Sequence, residues 1–264
     1  MKLKNARILL TGATGGLGHE LANQLSAAGA SLLLAGRAET RLNEMRAAMP
    51  GETAIVCADL TSTDGIARTT RAAQQFNANV LINNAGAGAF GLLENQPWDT
   101  VEQVLSTSLE APIHLTHALL PWLRAQPQAA IVNIGSTFGS IPFAGFAAYS
   151  AAKAGLRGFS QALRRELADT LISVIHISPR AIDTAMNSDA VNNLNRELAT
   201  HSDSAEAVAR QIVSALSHND VELHLGFPER LFAWLNGVAP GLIDRGLAGK
   251  LAAVKRHAPP RISH

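Results

Sequence analysis

Tyr149 and Lys153 stand four residues apart in the run Tyr149-Ser150-Ala151-Ala152-Lys153, and Tyr149 is the only tyrosine among 264 residues. On a helix that spacing puts a phenol and an ammonium on one face, one turn apart. A neighbouring cation favours phenolate and draws a pKa of about 10 toward neutrality, which makes the pair a candidate acid/base. Such pairs are common in helices, so the surroundings decide their weight. One such surrounding is Thr11-Gly12-Ala13-Thr14-Gly15-Gly16-Leu17-Gly18, which directly follows an apolar β-like run and opens a helical one. Glycines there let the backbone turn tightly and let a phosphate approach the helix N-terminus, whose free N–H groups and dipole favour anions. The turn departs from the GxGxxG form, and gains its specificity from its place after a first strand.

Arg37 narrows what that ligand would be. An NAD site typically ends its second strand on an acidic residue for the ribose hydroxyls, whereas this run closes Leu33-Leu34-Ala35-Gly36-Arg37. A guanidinium offers a rigid charged fork to phosphate oxygens, so Arg37 is a candidate clamp for a 2′-phosphate and NADP(H) is favoured. Glu39 is near enough in sequence to serve a ribose, which leaves NAD(H) as the alternative.

An alternating chain is needed to position these groups. Apolar β-like runs at 7–10, 32–35, 54–57, 80–82, 130–134 and 173–177, with a seventh at 221–225, alternate with helical spacing at 17–28, 39–49, 63–76, 98–109, 113–123, 149–167 and 205–216. This predicts an α/β fold, a doubly wound, mostly parallel, Rossmann-like sheet with helices on both faces in a single domain. Short, wholly apolar strands are what two covered faces require.

The polar, weakly periodic stretch 180–204 predicts a mobile loop near a site. Residues 1–225 are expected to form the catalytic domain, and 226–264 an amphipathic extension interrupted by Pro240 and Gly241. Its apolar face is expected to pack on the domain or at a subunit interface, with Phe232, Trp234 and Leu235 against the substrate entrance or a neighbouring subunit. A lid or membrane-surface helix is the alternative.

Composition excludes several classes. With 47% hydrophobic and 16% charged residues the chain has ample core material, and a net charge of +1 without basic clusters gives no nucleic-acid footprint. One cysteine, Cys57, excludes an internal disulfide and predicts a reducing, cytoplasmic setting. A polar start running into a strand predicts no export signal, and no run nears the ~18 apolar residues of a spanning helix. Nine histidines lack metal-ligand spacing, so no metal is expected.

In this order and spacing, Thr11-Gly12-xxx-Gly16-x-Gly18, Asp59-Leu60, Asn83-Asn84-Ala85-Gly86, Gly135-Ser136 and Tyr149-xxx-Lys153 resemble the short-chain dehydrogenase/reductase family over residues 5–225. The resemblance implies a single domain holding NAD(P)(H), a homodimer or homotetramer built through helices, and a small carbonyl or alcohol substrate. It implies that Tyr149 exchanges a proton with the substrate oxygen, that Lys153 lowers its pKa and holds the nicotinamide ribose, and that Ser136 orients the substrate. Gly12, Thr14, Gly15, Gly16, Leu17 and Gly18 would cradle the pyrophosphate, Asp59 and Leu60 the adenine side, and Asn83, Ala85 and Gly86 the ribose. Pro179, Ile182 and Thr184 would close the cofactor site after the sixth strand.

Two positions depart from the family pattern. Ser108 stands where an asparagine often supports a water relay from the lysine, and a serine can still hold a water. Arg180 replaces the glycine of Pro-Gly, and either reaches an acidic substrate group or forms a surface ion pair. Both departures motivate the competing function, a non-catalytic dinucleotide sensor or scaffold. A sugar-nucleotide epimerase or dehydratase fits the glycine spacing, but the chain is too short for its substrate domain. Phe90, Phe138, Phe143, Phe146 and Met186 are candidates to line an apolar substrate pocket.

Overall fold

The computed structural model describes residues 1–184 and 186–260. Its strands are β1 (Arg7–Thr11), β2 (Ser31–Gly36), β3 (Thr53–Cys57), β4 (Val80–Asn83), β5 (Ala129–Ile134), β6 (Ile172–Ser178), β7 (Ile182–Asp183), β8 (Asp203–Ser204) and β9 (Glu222–His224). Seven form one parallel sheet in the order β3-β2-β1-β4-β5-β6-β9, while β7 and β8 pair with each other. Side chains alternate between faces along a strand, so a sheet covered on both sides needs apolar residues at every position. Ile8, Leu10, Leu32, Leu34, Val80 and Ile82 fill one face, and Leu9, Leu33, Val56, Leu81 and Ile131 the other.

Helices α1 (Gly16–Ala27), α2 (Glu39–Ala48) and α8 (Ala205–His218) bury Leu21, Leu25, Leu42 and Ile212 against the first face. Helices α3 (Thr63–Gln75), α5 (Ala111–Arg124) and α6 (Ala147–Glu166) bury Ile66, Leu115, Leu119 and Leu163 against the second. Each such side chain contributes about 1.5–3 kcal/mol of transfer free energy. Strand order reverses between β1 and β4, which opens a crevice at the C-terminal ends of the strands where such folds bind ligands.

Two expectations are corrected. The helix expected over 98–109 and its successor do not separate: α4 (Trp98–Leu105) runs through a π-turn (Ser106–Glu110) into α5. Pro112 follows just after the π-turn and, lacking an N–H, cannot donate back into it. Nor is 180–204 only a loop. It contains β7, β8 and the helix α7 (Asp189–Glu197), capped by the Ser188 hydroxyl on the Val191 N–H, with Leu194 buried against Ala253 and Val254.

The C-terminal extension forms α9 (Glu229–Val238), α10 (Pro240–Ala248) and α11 (Leu251–His257), and its last four residues lie outside the described ones. Its inner side packs on the domain. Val254 joins Leu194, Phe90, Phe143 and Phe146, and the Asn236 amide donates to the Ser140 carbonyl at 2.9 Å. On its outer side Phe232 and Trp234 are exposed in the single chain and Leu235 is half-buried.

Candidate active site

The glycine turn carries β1 into α1 at the crevice. Gly12 has φ +63°, and a Cβ on it would lie 2.7 Å from Ala85 Cα, while one on Gly18 would strike the Gly12 carbonyl. Both positions therefore exclude side chains, so that loop, helix and the segment after β4 can touch. Gly15 caps α1 without a side-chain bond, leaving the first N–H groups of the helix free of side-chain partners. Gly16 faces Thr184, whose methyl would lie 3.0 Å from a Cβ there, so Thr184 stands over the helix N-terminus. Leu17 and Ile182 pack against the core below.

Asn84, which the sequence singled out only as part of a motif, ties this loop down. Its amide donates to the Thr11 and Gly12 carbonyls at 2.9 and 3.1 Å, and Thr11 Oγ1 accepts the Asn84 and Ala85 N–H groups at 3.0 Å. The Asn83 side chain faces away from the crevice: it donates to Asn133 Oδ1 at 2.8 Å and Thr116 Oγ1 at 3.2 Å in the core. Any cofactor contact from Asn83 would come from its backbone.

Thr14 lies 3.4 Å from a Cβ built on Gly36, which brings the loop to the end of β2. Arg37 follows there, exposed, and its charge is felt by Asp59 at the end of β3. Asp59 is held below the usual carboxylate range chiefly by the Thr61 backbone N–H, then by the Thr61 hydroxyl. Leu60 is half-buried against the α3 side of the core.

The residues expected to handle the proton meet at the mouth of β5. Ser136 begins a short 3-10 turn, its Oγ accepting the Phe138 N–H at 3.2 Å, and the buried Pro179 carbonyl accepts both Thr137 N–H and Thr137 Oγ1, at 2.8 and 3.1 Å. Tyr149 rises from the first turn of α6 toward Ser136. Burial pushes its phenol pKa up, and the Ser136 hydroxyl opposes that shift. Lys153 is 5% exposed, donates from Nζ to the Ile134 carbonyl at 2.8 Å, and is lowered by burial to about 8.

Burial outweighs any effect of the Lys153 charge on the phenol. Its ammonium lies 5.7 Å from the ring centroid and is directed to Ile134. A Cβ on Gly86 would lie 3.7 Å from Lys153 Nζ and 3.6 Å from Ser108 Oγ, so Gly86 is the floor between them. Ser108 is fully buried, donating to the Ala87 carbonyl and accepting the Ala87 N–H, both at 3.0 Å. One lone pair remains for a water. Arg180 forms an ion pair, but a half-buried one: a two-pronged bond to Asp203 at 2.7 and 2.8 Å, with Glu229 of α9 at 3.6 Å.

Beneath the site runs a buried polar chain missed in the sequence. Asn133 Nδ2 donates to Ser160 Oγ at 2.9 Å, and Ser160 Oγ lies 3.2 Å from His176 Nδ1. Three polar residues inside apolar strand and helix runs were its only signal. Burial holds His176 neutral, lowering its pKa from 6.5 to about 3. The unfolded chain therefore takes up this proton as pH falls below 6.5 while the folded chain resists until about 3. Stability should fall with acidification across that window, by on the order of 1 kcal/mol per pH unit from this group. Denaturation midpoints measured down the pH scale should show a flatter acid limb in His176→Gln than in the parent.

Above Tyr149 lies an aromatic wall. Phe138 meets the Tyr149 ring edge-on at 6.4 Å and packs against Phe143 and Phe146 at 5.5 and 5.0 Å, and Phe90 meets Phe146 at 5.1 Å. Met186 is exposed.

Residues 6–195 match the family described as short chain dehydrogenase. The chain belongs to the short-chain dehydrogenase/reductase family. It is 35% identical over 196 residues to the oxidoreductase DltE of Bacillus subtilis, covering 71% of this chain and 75% of that one. It is 32% identical to the mouse dehydrogenase/reductase SDR family member 7B, covering 94% of this chain and 82% of the other. Among solved structures, a short-chain dehydrogenase from Streptomyces avermitilis superposes with a TM-score of 0.77 at 28% identity, covering 96% and 98% of the two chains. A serine dehydrogenase complexed with NADP+ gives 0.74 at 27% identity, covering 83% and 93%. The short-chain dehydrogenase/reductase described here is thus an NAD(P)-dependent dehydrogenase or reductase with a single Rossmann-like domain. No helix among its described residues is long and apolar enough to cross a membrane.

Proposed function

We propose that this short-chain dehydrogenase/reductase transfers hydride between NADP(H) and a small-molecule carbonyl or alcohol, with Tyr149 moving the proton. The observation that carries the reading is the convergence of Ser136, Tyr149 and Lys153 beside Gly86 at the end of β4 and β5. The glycine cradle fits a dinucleotide: Gly12 and Gly18 admit no Cβ, and the N-terminus of α1 lacks a side-chain cap. Gly12, Thr14, Gly15, Gly16, Leu17, Gly18 and Thr184 would hold its phosphates, with Ala85, Gly86, Pro179 and Ile182 along its inner half. The bound nicotinamide supplies or takes the hydride.

The chain does the rest. In reduction, Ser136 Oγ donates a hydrogen bond to the carbonyl oxygen and Tyr149 gives that oxygen its proton. In oxidation, phenolate takes the hydroxyl proton back. A phenol raised by burial is a protonated acid at neutral pH, which suits the reductive direction. Lys153, protonated below about 8, presents a charge that holds ribose hydroxyls and favours the phenolate left after proton transfer. The aromatic wall of Phe90, Phe138, Phe143 and Phe146 favours an apolar substrate body. Ser108 and Arg180, the two departures behind the sensor reading, both have structural partners here, so no specific observation favours it. We further propose cytoplasmic residence and homo-oligomers, with 1–225 as the catalytic unit and 226–264 as an appended element.

The cofactor preference rests on Arg37, the charged group at the end of β2 where a 2′-phosphate would fall. Arg37→Ala should weaken NADPH binding by roughly tenfold or more while leaving NADH nearly unchanged, since charge-assisted contacts contribute about 1.5–3 kcal/mol. Parallel titrations of both cofactors decide this, and equal losses would remove the assignment. A panel of carbonyl compounds assayed with NADPH and NADH tests the reaction class, and turnover of none of them would count against it.

A further inference from the structure

Arg180 stands where the family pattern has a glycine, and its side chain is engaged by carboxylates of its own chain. Its Nε and Nη2 donate to the two oxygens of Asp203 at 2.8 and 2.7 Å, and Nη1 lies 3.6 Å from Glu229 Oε2. The side chains of Arg180 and Asp203 are only 16% and 18% exposed. A two-pronged bond of this kind fixes direction as well as distance, which a lysine cannot do. Gly226 keeps room for it: its φ is +95°, and a Cβ there would lie 2.8 Å from Glu229 Oε2 and 3.0 Å from Arg180 Cδ.

What the ion pair holds is the segment 179–184. At its start the Pro179 carbonyl accepts the Thr137 N–H and hydroxyl, next to Ser136. In its middle the Ala181 carbonyl accepts the Asp203 N–H at 2.9 Å, and the Asn187 amide donates to the Ile182 carbonyl at 2.9 Å. At its end Thr184 stands over Gly16 at the start of α1. Strands β7 and β8 have two residues each and lie outside the main sheet, so their backbone bonds are marginal by themselves. Asp203 is the firmer side of the pair, because β8 runs straight into α8, where the Ser204 hydroxyl accepts the Ala207 N–H. Arg180 therefore ties the segment that leaves the catalytic turn to an element buried against the core.

We propose that Arg180 is a positioning residue for the cofactor: paired with Asp203, it holds 179–184 down so that Thr184 closes over the dinucleotide phosphates. This rests on the reading of Thr184 as a phosphate contact. Arg180 acts through the backbone that it anchors and contacts no cofactor atom. A segment closed before binding loses less freedom on binding, so the pair raises affinity for either dinucleotide alike. Arg37, assigned to the 2′-phosphate, favours only one of them.

Cofactor titrations, together with hydrogen exchange of the cofactor-free chain, test this. Arg180→Gln keeps the stem of the side chain and removes its charge and fork, and Asp203→Asn removes the charge at the other end. Each should raise the dissociation constants of NADPH and NADH by the same factor, roughly tenfold if the closed segment falls to about a tenth of the population. The two changes together should have the effect of either alone, because both break one contact. Amide exchange should quicken in 180–187 and 203–204 and not in the strands of the main sheet. A parent chain that binds neither dinucleotide would overturn the reading of Thr184 and this proposal with it. A parent that binds both, with unchanged affinities in the variants, would overturn the role of Arg180 alone. So would a loss confined to NADPH, which would make Arg180 a phosphate contact, or quickened exchange throughout the sheet, which would make the pair a support of the whole fold.

Discussion

Tyr149→Phe should lower turnover by at least ~10²–10⁴-fold while leaving folding and cofactor affinity nearly intact. The change removes one hydroxyl and keeps the ring, so the edge-on contact with Phe138 survives. Ser136 would keep its Phe138 N–H bond and could still orient a carbonyl oxygen, but no proton donor would face that oxygen. The loss should therefore fall on kcat and not on the KM of the cofactor. Near-normal turnover with an identified substrate would defeat the assignment of Tyr149.

Lys153→Ala should damage two quantities at once. The lysine is assigned both the ribose hydroxyls and the stabilisation of phenolate, so kcat should fall and the cofactor KM should rise together. Truncation also leaves the buried Ile134 carbonyl without its donor, at a cost of about 1–3 kcal/mol of stability. Lys153→Met, which fills the same space, separates packing from charge. Its kinetics should resemble those of Lys153→Ala. With Lys153 lowered to about 8, cofactor affinity in the parent should decline as pH rises through that value and the charge is lost. The same decline should be absent in Lys153→Met. Recovery of turnover in Lys153→Met would show that the ammonium is not needed.

The parallel sheet was legible because both of its faces are covered, so strands such as β1 and β2 are apolar without interruption. β9 (Glu222–His224) is an edge strand whose hydrogen bonds to β6 reach Val221 and Leu225, the ends read from the sequence. Local pattern misled where partners are distant in sequence. Leu194 of α7 gains its burial from Val254, sixty residues on, so the periodicity of 180–204 looked too weak for a helix. The Ser188 cap ahead of Asp189 was the available signal. The helical spacing at 98–109 and 113–123 looked like two helices because a π-turn leaves no mark in the sequence.

At the site, residue types were legible and their directions were not. Asn83 and Asn84 are identical in kind, yet strand alternation turns the first into the core and leaves the second to bind the glycine loop. Arg180 announced itself only as a departure, because its partner Asp203 is brought to it by the pairing of β7 with β8.

Hydride transfer itself is tested most directly by isotope. NADPH deuterated at the transferring position of its nicotinamide should be oxidised with a carbonyl substrate, giving an alcohol that carries deuterium on its carbinol carbon. The proton on oxygen should come from water by way of Tyr149. Tyr149→Phe, saturated with the same labelled cofactor, should form that product at no more than about a hundredth of the parent rate. Product without deuterium on that carbon would contradict the central claim, as would tight dinucleotide binding with no transfer to any carbonyl.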